Sequence, residues 1–585
     1  MTAHPPEPAG RVRVGVLLSS LVVPAWVDAA IRDIVASGDA ELVAVGITDG
    51  PLPESTGSAS SGGRRLPIRR VLRRIDRMLD RPIPADQDAF ATKDARPLFA
   101  DVPVLAMRWA NHIARTFAEE DLAGLRSGEL DVLLWLGDGG RPRGDVLRIA
   151  RAGLWSFHVG DTRNRRGAPA GFWEVHDRRP VTDATLEILA DDPRRNQTLG
   201  QTSTATVSTS IMRTRNAVLW SALPILGRAL RDLRRQGVDV FLEHVAEDNA
   251  PPSFDSNPRY RSPGLSDLVV HGARRAARLA GIVATRPFSR QQWVLYYGLA
   301  DDLIEDCWRL QPLAPPVDRF WADPHVVMVG EGYFVFVEEL PYATGKGHIS
   351  VIEIDRDGRA SPARKVLEEA HHLSYPLVFE HEGEHFMVPE SAARGTIDLY
   401  RATSFPDRWE LVEHLMTGIE AYDATLLREH DRWWLFASVI KYHGAGSGEL
   451  VLYSSDRLIG GDWRLHPASP LWSDVTGARP AGAILRRHGR LYRPAQDGSG
   501  LYGRAIKLNE ILELTEDRYR EELVSRIEPT WNRRIRRTHT LAHAGRLTVV
   551  DALWRRGRWP ISPPSRAEDR APADDQARPS FTAST

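Results

Sequence analysis

The sequence predicts two modules of different fold class, an α/β doubly wound domain followed by an all-β five-bladed propeller. Short apolar strands alternate with amphipathic helices up to residue 237, whereas a strand–turn–strand unit recurs five times after residue 293. A chain of 585 residues is long enough for several domains with their own cores. We place the α/β domain at 11–237, a helical linker at 238–292, the propeller at 293–557 and a disordered tail at 558–585.

The α/β prediction rests on buried strands separated by helices. Apolar runs rich in β-branched residues occur at 11–18, 41–47, 130–136 and 154–158. Runs without polar alternation are typical of parallel strands that are covered on both faces. Between the first two runs, Trp26, Ile31 and Ile34 recur at helical spacing. The serine-rich residues 51–63 predict a flexible surface insertion, and the tail is too polar and proline-rich to build a core.

The propeller prediction rests on five copies of one unit, in which an apolar segment, a turn and an aromatic, β-branched segment follow each other. Equivalent points in the five copies are Asp323, Pro376, Asp423, Pro480 and His539. They are 53, 47, 57 and 59 residues apart, which suits blades built of short strands. Because the innermost strand of each blade begins near the central channel, we expect the side chains at these points to converge on one pocket.

Charge and composition exclude several classes of function. With 76 basic and 77 acidic residues the net charge is -1, which argues against nucleic-acid binding through an overall positive field. The one cysteine, Cys307, rules out a disulfide framework, and His371 and His372 have no partner at metal-site spacing, so no metal is predicted. The sequence has no phosphate-binding loop, membrane-spanning run or signal peptide, and we expect a cytoplasmic protein.

One basic segment has two interpretations. Residues 64–79 begin with Arg64 and combine many arginines with Leu72, Ile75 and Leu79 at helical spacing. The arginines could contact an anionic membrane surface or the phosphates of a nucleotide sugar. Alternatively, the apolar residues pack this helix against the domain and leave a solvated arginine face.

Three runs of the first module carry a family resemblance. Asp-Val-Leu-Leu-Trp-Leu-Gly occupies 131–137, a run ending in Leu-Trp-Ser-Phe-His closes at His158, and Arg-Arg-Gly-Ala-Pro-Ala-Gly-Phe-Trp occupies 165–173. Over about residues 11–235 the chain resembles the methionyl-tRNA and sugar N-formyltransferases. In such enzymes an Asn-x-His pair and a later Asp polarise the formyl group and move the proton.

The chain departs from that pattern at two positions of three. Ser156 replaces the Asn, His158 is kept, and the best-fitting register places Gln197 at the Asp, with Asp192 there only if the register slips. The resemblance therefore implies a retained fold with a degenerate site at Ser156, His158 and Gln197. No cofactor is expected unless formyl transfer to an amino sugar takes place, in which case the resemblance implies 10-formyltetrahydrofolate.

Several phrases of the second module also resemble one family. They include Phe-Trp-Ala-Asp-Pro at 320–324, His-Leu-Ser-Tyr-Pro-Leu-Val-Phe at 372–379, Met-Val-Pro-Glu-Ser at 387–391 and Arg-Pro-Ala-Gln-Asp at 493–497. Over about residues 293–557 they are similar to the N-terminal propeller region of plant glucosamine inositolphosphorylceramide transferases. That region is related in fold to family 43 glycoside hydrolases. The plant proteins' glycosyltransferase domain has no counterpart in these residues, so transferase activity is not carried over with the name.

The resemblance gives roles to three carboxylates. Asp323 stands where the hydrolase base would be, Glu390 is the candidate acid, and Asp423 is the carboxylate that modulates the acid's pKa. The pattern departs from family 43, where the acid belongs to the third blade, because Glu390 falls in the second. Polar residues at or near the equivalent points are candidates for sugar binding: Glu339, Tyr375, Arg479, Gln496, His539 and Asp551.

Three functions remain open at this point. The propeller pocket binds a glycan or glycoconjugate and cleaves or transfers it, or it only binds the sugar while any chemistry lies in the α/β domain. In the third case both sites are degenerate and the protein is a scaffold, so whether it is an enzyme stays open. Structural roles exist for the same residues, because Asp before Pro is a common turn element and Glu390 could cap the turn after its strand.

Overall fold

A computed structural model describes residues 10–49, 83–137, 140–160, 170–249, 263–285, 289–446 and 448–557. Three predicted segments lie outside the described residues: the surface insertion at 51–63, the basic segment at 64–79 and the tail at 558–585. The described chain forms an N-terminal module built around one mixed sheet and a C-terminal propeller.

The N-terminal module is a seven-stranded sheet with helices on both faces. Its strands and helices in chain order are β1 Val12–Leu18, β2 Val22–Pro24, α1 Ala25–Ala36, β3 Ala40–Thr48, β4 Thr92–Asp94, β5 Val104–Met107, β6 Trp109–Asn111, β7 Thr116–Phe117, α2 Glu119–Arg126, β8 Val132–Trp135, β9 Leu154–Val159, α3 Phe172–His176, β10 Val181–Ile188, β11 Gln197–Ala205, α4 Ile211–Gln236, α5 Val238–Asp248 and α6 Leu265–Thr285. The strand order is β11-β10-β9-β8-β1-β3-β5, and β10 is antiparallel to both neighbours while the other pairs are parallel.

Two cores lie on opposite faces of this sheet because its strands alternate their side chains. Val14 and Val16 of β1 pack with α1 and α4 on one face, whereas Leu17 packs with α2 on the other. Helix α4 begins at Ser210, whose hydroxyl accepts a hydrogen bond from the Arg213 amide, and ends before Gly237. The likeness of this module to formyltransferases remains a prediction.

The C-terminal module is a five-bladed propeller, as the repeats predicted. Its strands are β12 Ser289–Leu299, β13 Gln311–Leu313, β14 Arg319–Val329, β15 Gly332–Pro341, β16 His348–Ile354, β17 Arg364–Leu367, β18 Ser374–His381, β19 Glu384–Ser391, β20 Thr396–Ser404, β21 Arg408–Thr417, β22 Ala421–Glu429, β23 Arg432–Val439, β24 Glu449–Ser455, β25 Arg464–Leu465, β26 Arg479–Pro480, β27 Leu485–Arg487, β28 Arg490–Asp497, β29 Ala505–Leu514, β30 Tyr519–Ile527, β31 Leu541–Ala544 and β32 Leu547–Gly557.

Each blade is one antiparallel sheet, and the ends of the propeller close the ring. Strands β14–β17, β18–β21, β22–β25 and β26–β30 form blades 1 to 4. Blade 5 joins β31 and β32 to β12 and β13, so the C-terminal strands pair with strands from the start of the module. Strand β12 begins at Ser289, before the predicted boundary at 293, because Ser289 already pairs with Gly557.

The N-terminal module packs against blade 3 of the propeller. Asp33 accepts a hydrogen bond from Lys441 at 2.6 Å, and the rings of Trp220 and Tyr442 stack with centroids 5.2 Å apart. Arg228 forms an ion pair with Glu449. None of the described helices is both long and apolar enough to span a membrane.

Candidate functional site

Three innermost strands share a strained residue that faces the propeller axis. Asp323, Tyr375 and Asp423 have φ values of 50°, 41° and 54°, and at each of them the pairing with the next strand shifts register. Positive φ is costly for residues other than glycine and is tolerated where the surroundings hold it in place. The three positions are equivalent in blades 1 to 3, so the repeat point in blade 2 is Tyr375, one residue before the predicted Pro376.

Contacts across blades show that these side chains meet at the centre. Asp323 of blade 1 accepts a hydrogen bond from Thr540 of blade 5 at 2.8 Å. The hydroxyl of Tyr375 in blade 2 accepts one from the Gly482 amide of blade 4 at 2.8 Å. Asp423 of blade 3 contacts blade 4 as well, through the guanidinium of Arg479.

A second set of polar side chains comes from the neighbouring strand of each blade. In blades 1 to 3 each of these residues pairs with the residue that directly precedes the strained one, and in blade 4 it pairs with Arg479, which precedes Pro480. The four residues are Glu338, Glu390, Ser438 and Gln496. In blade 5 the amide of Asp551 donates to the Thr540 carbonyl. The pocket therefore has two layers of polar groups around one axis, because the five blades repeat one backbone geometry.

Glu390, Asp423 and Arg479 form one contact network in the pocket. Arg479 donates from Nε to Asp423 Oδ2 at 2.5 Å and from Nη2 to Glu390 Oε2 at 3.3 Å. Gln496 donates to Asp423 Oδ2 at 2.9 Å. Burial and the charge of Asp423 raise the pKa of Glu390 well above its usual range, while Arg479 opposes the shift. Glu390 therefore differs from an ordinary exposed carboxyl group, because its surroundings favour the protonated form.

Asp323, His539 and Asp551 form a second network beside the first. His539 lies between the two carboxylates, with Nδ1 2.6 Å from Asp551 Oδ2 and Nε2 3.3 Å from Asp323 Oδ1. Burial lowers the pKa of His539, but the charges of Asp551 and Asp323 outweigh it and raise the pKa to about 9. Burial raises the pKa of Asp323 to about 7, against the lowering effect of His539. Asp323 therefore exchanges protons near neutral pH.

The same three residues are grouped closely enough to hold a cation. One ligand atom from each of Asp323, His539 and Asp551 lies within 4.8 Å of the others. Asp551 already accepts hydrogen bonds from the amides of His539 and Thr540 at 2.9 and 3.0 Å. The imidazolium of His539 thus supplies the positive charge that these carboxylates need, and the absence of a metal remains a prediction.

Glu338 takes the place in the pocket that the sequence suggested for Glu339. The two side chains point to opposite faces of β15, and the Glu339 carboxylate binds Arg319 and Trp321, each at 2.7 Å. The charge of Glu338 acts on Asp323, and its carboxylate lies 3.1 Å from Nε2 of His372. That contact raises the pKa of His372.

The predicted sugar-binding Tyr375 is fully buried. Its hydroxyl lies 2.8 Å from Thr425 as well as from the Gly482 amide, so it joins blades 2, 3 and 4. Tyr375 cannot touch a ligand unless the blades move apart, and it braces the pocket floor instead. Of the other predicted residues, Arg479, Gln496, His539 and Asp551 all lie in the two networks.

Aromatic rings that were not predicted from the sequence line the pocket. Tyr422 and Tyr502 lie on either side of the Arg479 guanidinium, with ring centroids 5.1 and 5.3 Å from Cζ. The ring centroids of Trp293 and Tyr502 lie 4.2 and 5.1 Å from the ring centroid of His539. Tyr502 is 43% exposed and Arg479 keeps 31% of its side-chain surface accessible, so this side of the pocket is open to ligand.

In the N-terminal module, the predicted site at His158 has a carboxylate beside it. Glu187 lies opposite Ser156 on β10, two residues from Thr185, which lies opposite His158. Burial raises the pKa of Glu187, but the charges of Arg141 and His158 outweigh it and lower the pKa. Arg141 and Asn196 each donate to Glu187 at 2.7 Å. Glu187 is therefore a charged group that interacts electrostatically with His158, and the roles of Gln197 and Asp192 stay predictions.

A family model covers most of the propeller. Residues 304–545 match the model described as glucosamine inositolphosphorylceramide transferase 1, N-terminal. The protein of that name from Oryza sativa subsp. japonica is 39% identical over 207 residues, which are 35% of this chain and 28% of the rice protein. The chain therefore matches less than a third of the length of this relative.

Two solved structures have a low overall similarity to the chain. The catalytic domain of the GH62 α-L-arabinofuranosidase of Coprinopsis cinerea is 15% identical, with a TM-score of 0.32 over 41% of this chain and 94% of that domain. Glycinamide ribonucleotide transformylase 1 from Symbiobacterium toebii is 15% identical, with a TM-score of 0.27 over 38% of this chain and 88% of that protein. The similarity in sequence therefore lies between residues 304–545 of this propeller and the N-terminal region of the glucosamine inositolphosphorylceramide transferases.

Proposed function

We propose that the propeller pocket binds a glycan or glycoconjugate and cleaves or transfers its glycosidic bond. One observation carries the proposal: Glu390 lies 3.3 Å from Arg479 and close enough to Asp423 and Asp323 for both to act on it, and burial raises the pKa of Glu390 and that of Asp323, the latter to about 7. Cleavage of a glycosidic bond requires one protonated and one ionised carboxyl group. Glu390 and Asp323 have different surroundings, which give the two carboxyl groups different pKa values.

Each group has a step to perform in this proposal. Glu390 gives its proton to the leaving oxygen as the bond between that oxygen and the sugar carbon breaks. Asp323 accepts a proton from the water, or from the acceptor hydroxyl, whose oxygen forms the new bond to the carbon. With Glu390 neutral, Arg479 and Asp423 stay paired and hold the acid in place.

The pocket lining supports a sugar as the ligand. Tyr422 and Tyr502 offer aromatic faces on either side of Arg479, and Trp293 adds a third ring next to His539. Sugar rings combine apolar faces with hydroxyl groups, so they suit a site that has both aromatic rings and charged hydrogen-bonding partners. The relatives named after glucosamine inositolphosphorylceramide support a glycoconjugate as the substrate class.

A panel of glycans and nucleotide sugars tests this proposal by thermal shift and turnover. We expect one sugar class to raise the melting temperature of both the wild type and an Asp323→Asn/Glu390→Gln double variant, since the variant keeps the size of the pocket. Only the wild type should release product. Binding without turnover in the wild type would leave a sugar-binding propeller, and no shift with any sugar would refute a carbohydrate function.

The electrostatic interaction between His158 and Glu187 favours a second candidate function, formyl transfer to an amino sugar. The histidine would accept a proton from the sugar amine as the new C–N bond forms, and would give it to the tetrahydrofolate nitrogen as the bond from the formyl carbon to that nitrogen breaks. Glu187 would stabilise the imidazolium, as a carboxylate beside a catalytic histidine does. A cofactor of the 10-formyltetrahydrofolate class would supply the formyl group.

Mass spectrometry of amino sugars incubated with 10-formyltetrahydrofolate tests the second candidate. We expect a formylated product with the wild type and about 10²–10⁴-fold less with His158→Ala, the range that a general base contributes. His244→Ala, an exposed histidine of α5, is the control. No product with the wild type would refute this candidate and leave the propeller proposal untouched.

A further inference from the structure

Helix α6 is oriented with polar residues inward and apolar residues outward. Successive residues of a helix turn by about 100°, so the side of α6 that packs on the module is the one that carries His271 and Arg275. Both are nearly fully buried, and the ring of His271 lies 5.2 Å from Phe172 of α3. Leu268 packs on the module from the same side, but most of the other apolar residues of α6 are exposed, whereas a surface helix normally buries its apolar stripe.

The outward face of α6 is almost entirely apolar. Its larger side chains are Leu265, Val269, Val270 and Val283, whereas the exposed Ile282 lies on the same side of the helix as His271 and Arg275. Val269 is 63% exposed and Val283 is 69% exposed, at positions two-thirds of the helix length apart. Small exposed residues fill the positions between them: Ala273, Ala276, Ala277 and Ala280. Contiguous apolar surface of this kind marks a site that another surface covers.

Positive charge lies along one edge of that face. Arg274 donates from Nη1 to the carbonyl of His176, and Arg278 donates to the carbonyl of Ser208, so both guanidinium groups are held beside the apolar stripe. The charges of Arg178 and Arg274 both act on Arg278 and lower its pKa, in addition to burial. An apolar face with arginines at its edge is complementary to an anionic surface that has an apolar layer beneath it.

We propose that α6 docks on an anionic membrane surface with its axis in the plane of the interface. The apolar face enters the boundary between headgroups and acyl chains, and the arginines stay at the level of the lipid phosphates. A second copy of the chain is a poorer fit. A helix of 21 residues is about 31 Å long and about 10 Å wide, so two such faces bury about 600 Å², whereas stable interfaces bury at least about 1,000 Å².

Co-sedimentation of the full chain with vesicles tests this proposal. We expect the protein to pellet with vesicles of phosphatidylcholine and phosphatidylglycerol, and several-fold less with phosphatidylcholine alone or at high salt. Val269→Glu with Val283→Glu should weaken binding to the anionic vesicles at least about tenfold, since both charges would enter the apolar layer. The matched control is Val317→Glu with Val524→Glu, which adds the same charge at two exposed valines of the propeller and should bind like the wild type.

Three outcomes would overturn the proposal. One is a wild type that pellets with neither kind of vesicle, and another is equal binding by the α6 variant and the wild type. The third is a dimer in the absence of lipid that the α6 variant converts to a monomer, because a second copy would then cover this face. Unchanged melting temperatures of both variants are expected, since all four valines are exposed, and they show that loss of binding is not loss of folding.

Discussion

Replacing Glu390 with glutamine is expected to lower the turnover of a glycoside substrate by about 10²–10⁴-fold and to leave its binding nearly unchanged. Glutamine keeps the shape of the side chain and can still contact Arg479, but it has no proton to give to the leaving oxygen. Steady-state kinetics with separate kcat and KM values measure the effect. A fall in kcat with little change in KM would show that Glu390 acts in the reaction step.

The matched control for Glu390 is Glu380→Gln, which changes an exposed glutamate of the same blade and should leave kcat unchanged. The pH dependence gives a second readout. Because the charge of Asp423 raises the pKa of Glu390, Asp423→Asn should lower that pKa, and the acid would then lose its proton at a lower pH. The alkaline limb of kcat should therefore move to lower pH. An unchanged limb would contradict the assignment of the acid.

Replacing Arg493 with methionine is expected to destabilise the propeller by about 3–5 kcal/mol, because the hydrogen bonds that Trp472 and Tyr519 donate to the buried Glu521 do not replace the positive charge of Arg493. The two side chains are only 1% and 3% accessible, and the guanidinium donates to both oxygens of Glu521 at 2.7 and 2.6 Å. Urea denaturation that follows tryptophan fluorescence measures the free energy of unfolding. Arg493 lies in β28 and Glu521 in β30, so the change removes an ion pair that links β28 to the outermost strand of blade 4.

A surface pair in the same strand is the control for Arg493. Arg490 pairs with Glu510 at 3.0 Å, but its side chain is 63% accessible, and Arg490→Met should cost less than about 1 kcal/mol. A similar loss of stability in both variants would show that burial does not set the strength of these pairs. An Arg493 variant as stable as the wild type would contradict the contacts described for Glu521.

The repeated architecture and part of the pocket could be predicted from the sequence because the blades share one pattern. Asp323, Asp423 and His539 stand at equivalent points of their repeats, and equivalent points of a propeller converge on its axis. Arg479 was found in the same way, beside the repeat point of blade 4.

Contacts that depend on register or on loops could not be predicted. Glu338 and Glu339 are adjacent, and only the register with β14 decides which of them faces Asp323. Tyr502 lies in the loop between β28 and β29, where no periodicity indicates direction. Glu187 acts on His158 from the neighbouring antiparallel strand β10, so a motif within one strand does not include it.

A crystal structure of the Glu390→Gln variant, soaked with the sugar that the binding panel identifies, tests whether the substrate binds in the propeller pocket. We predict ligand density in the propeller pocket, stacked on Tyr422 or Tyr502 and within hydrogen-bond distance of Asp323 and Arg479. If the propeller pocket is empty and density lies at another site, such as beside His158, the propeller pocket is not the sugar-binding site.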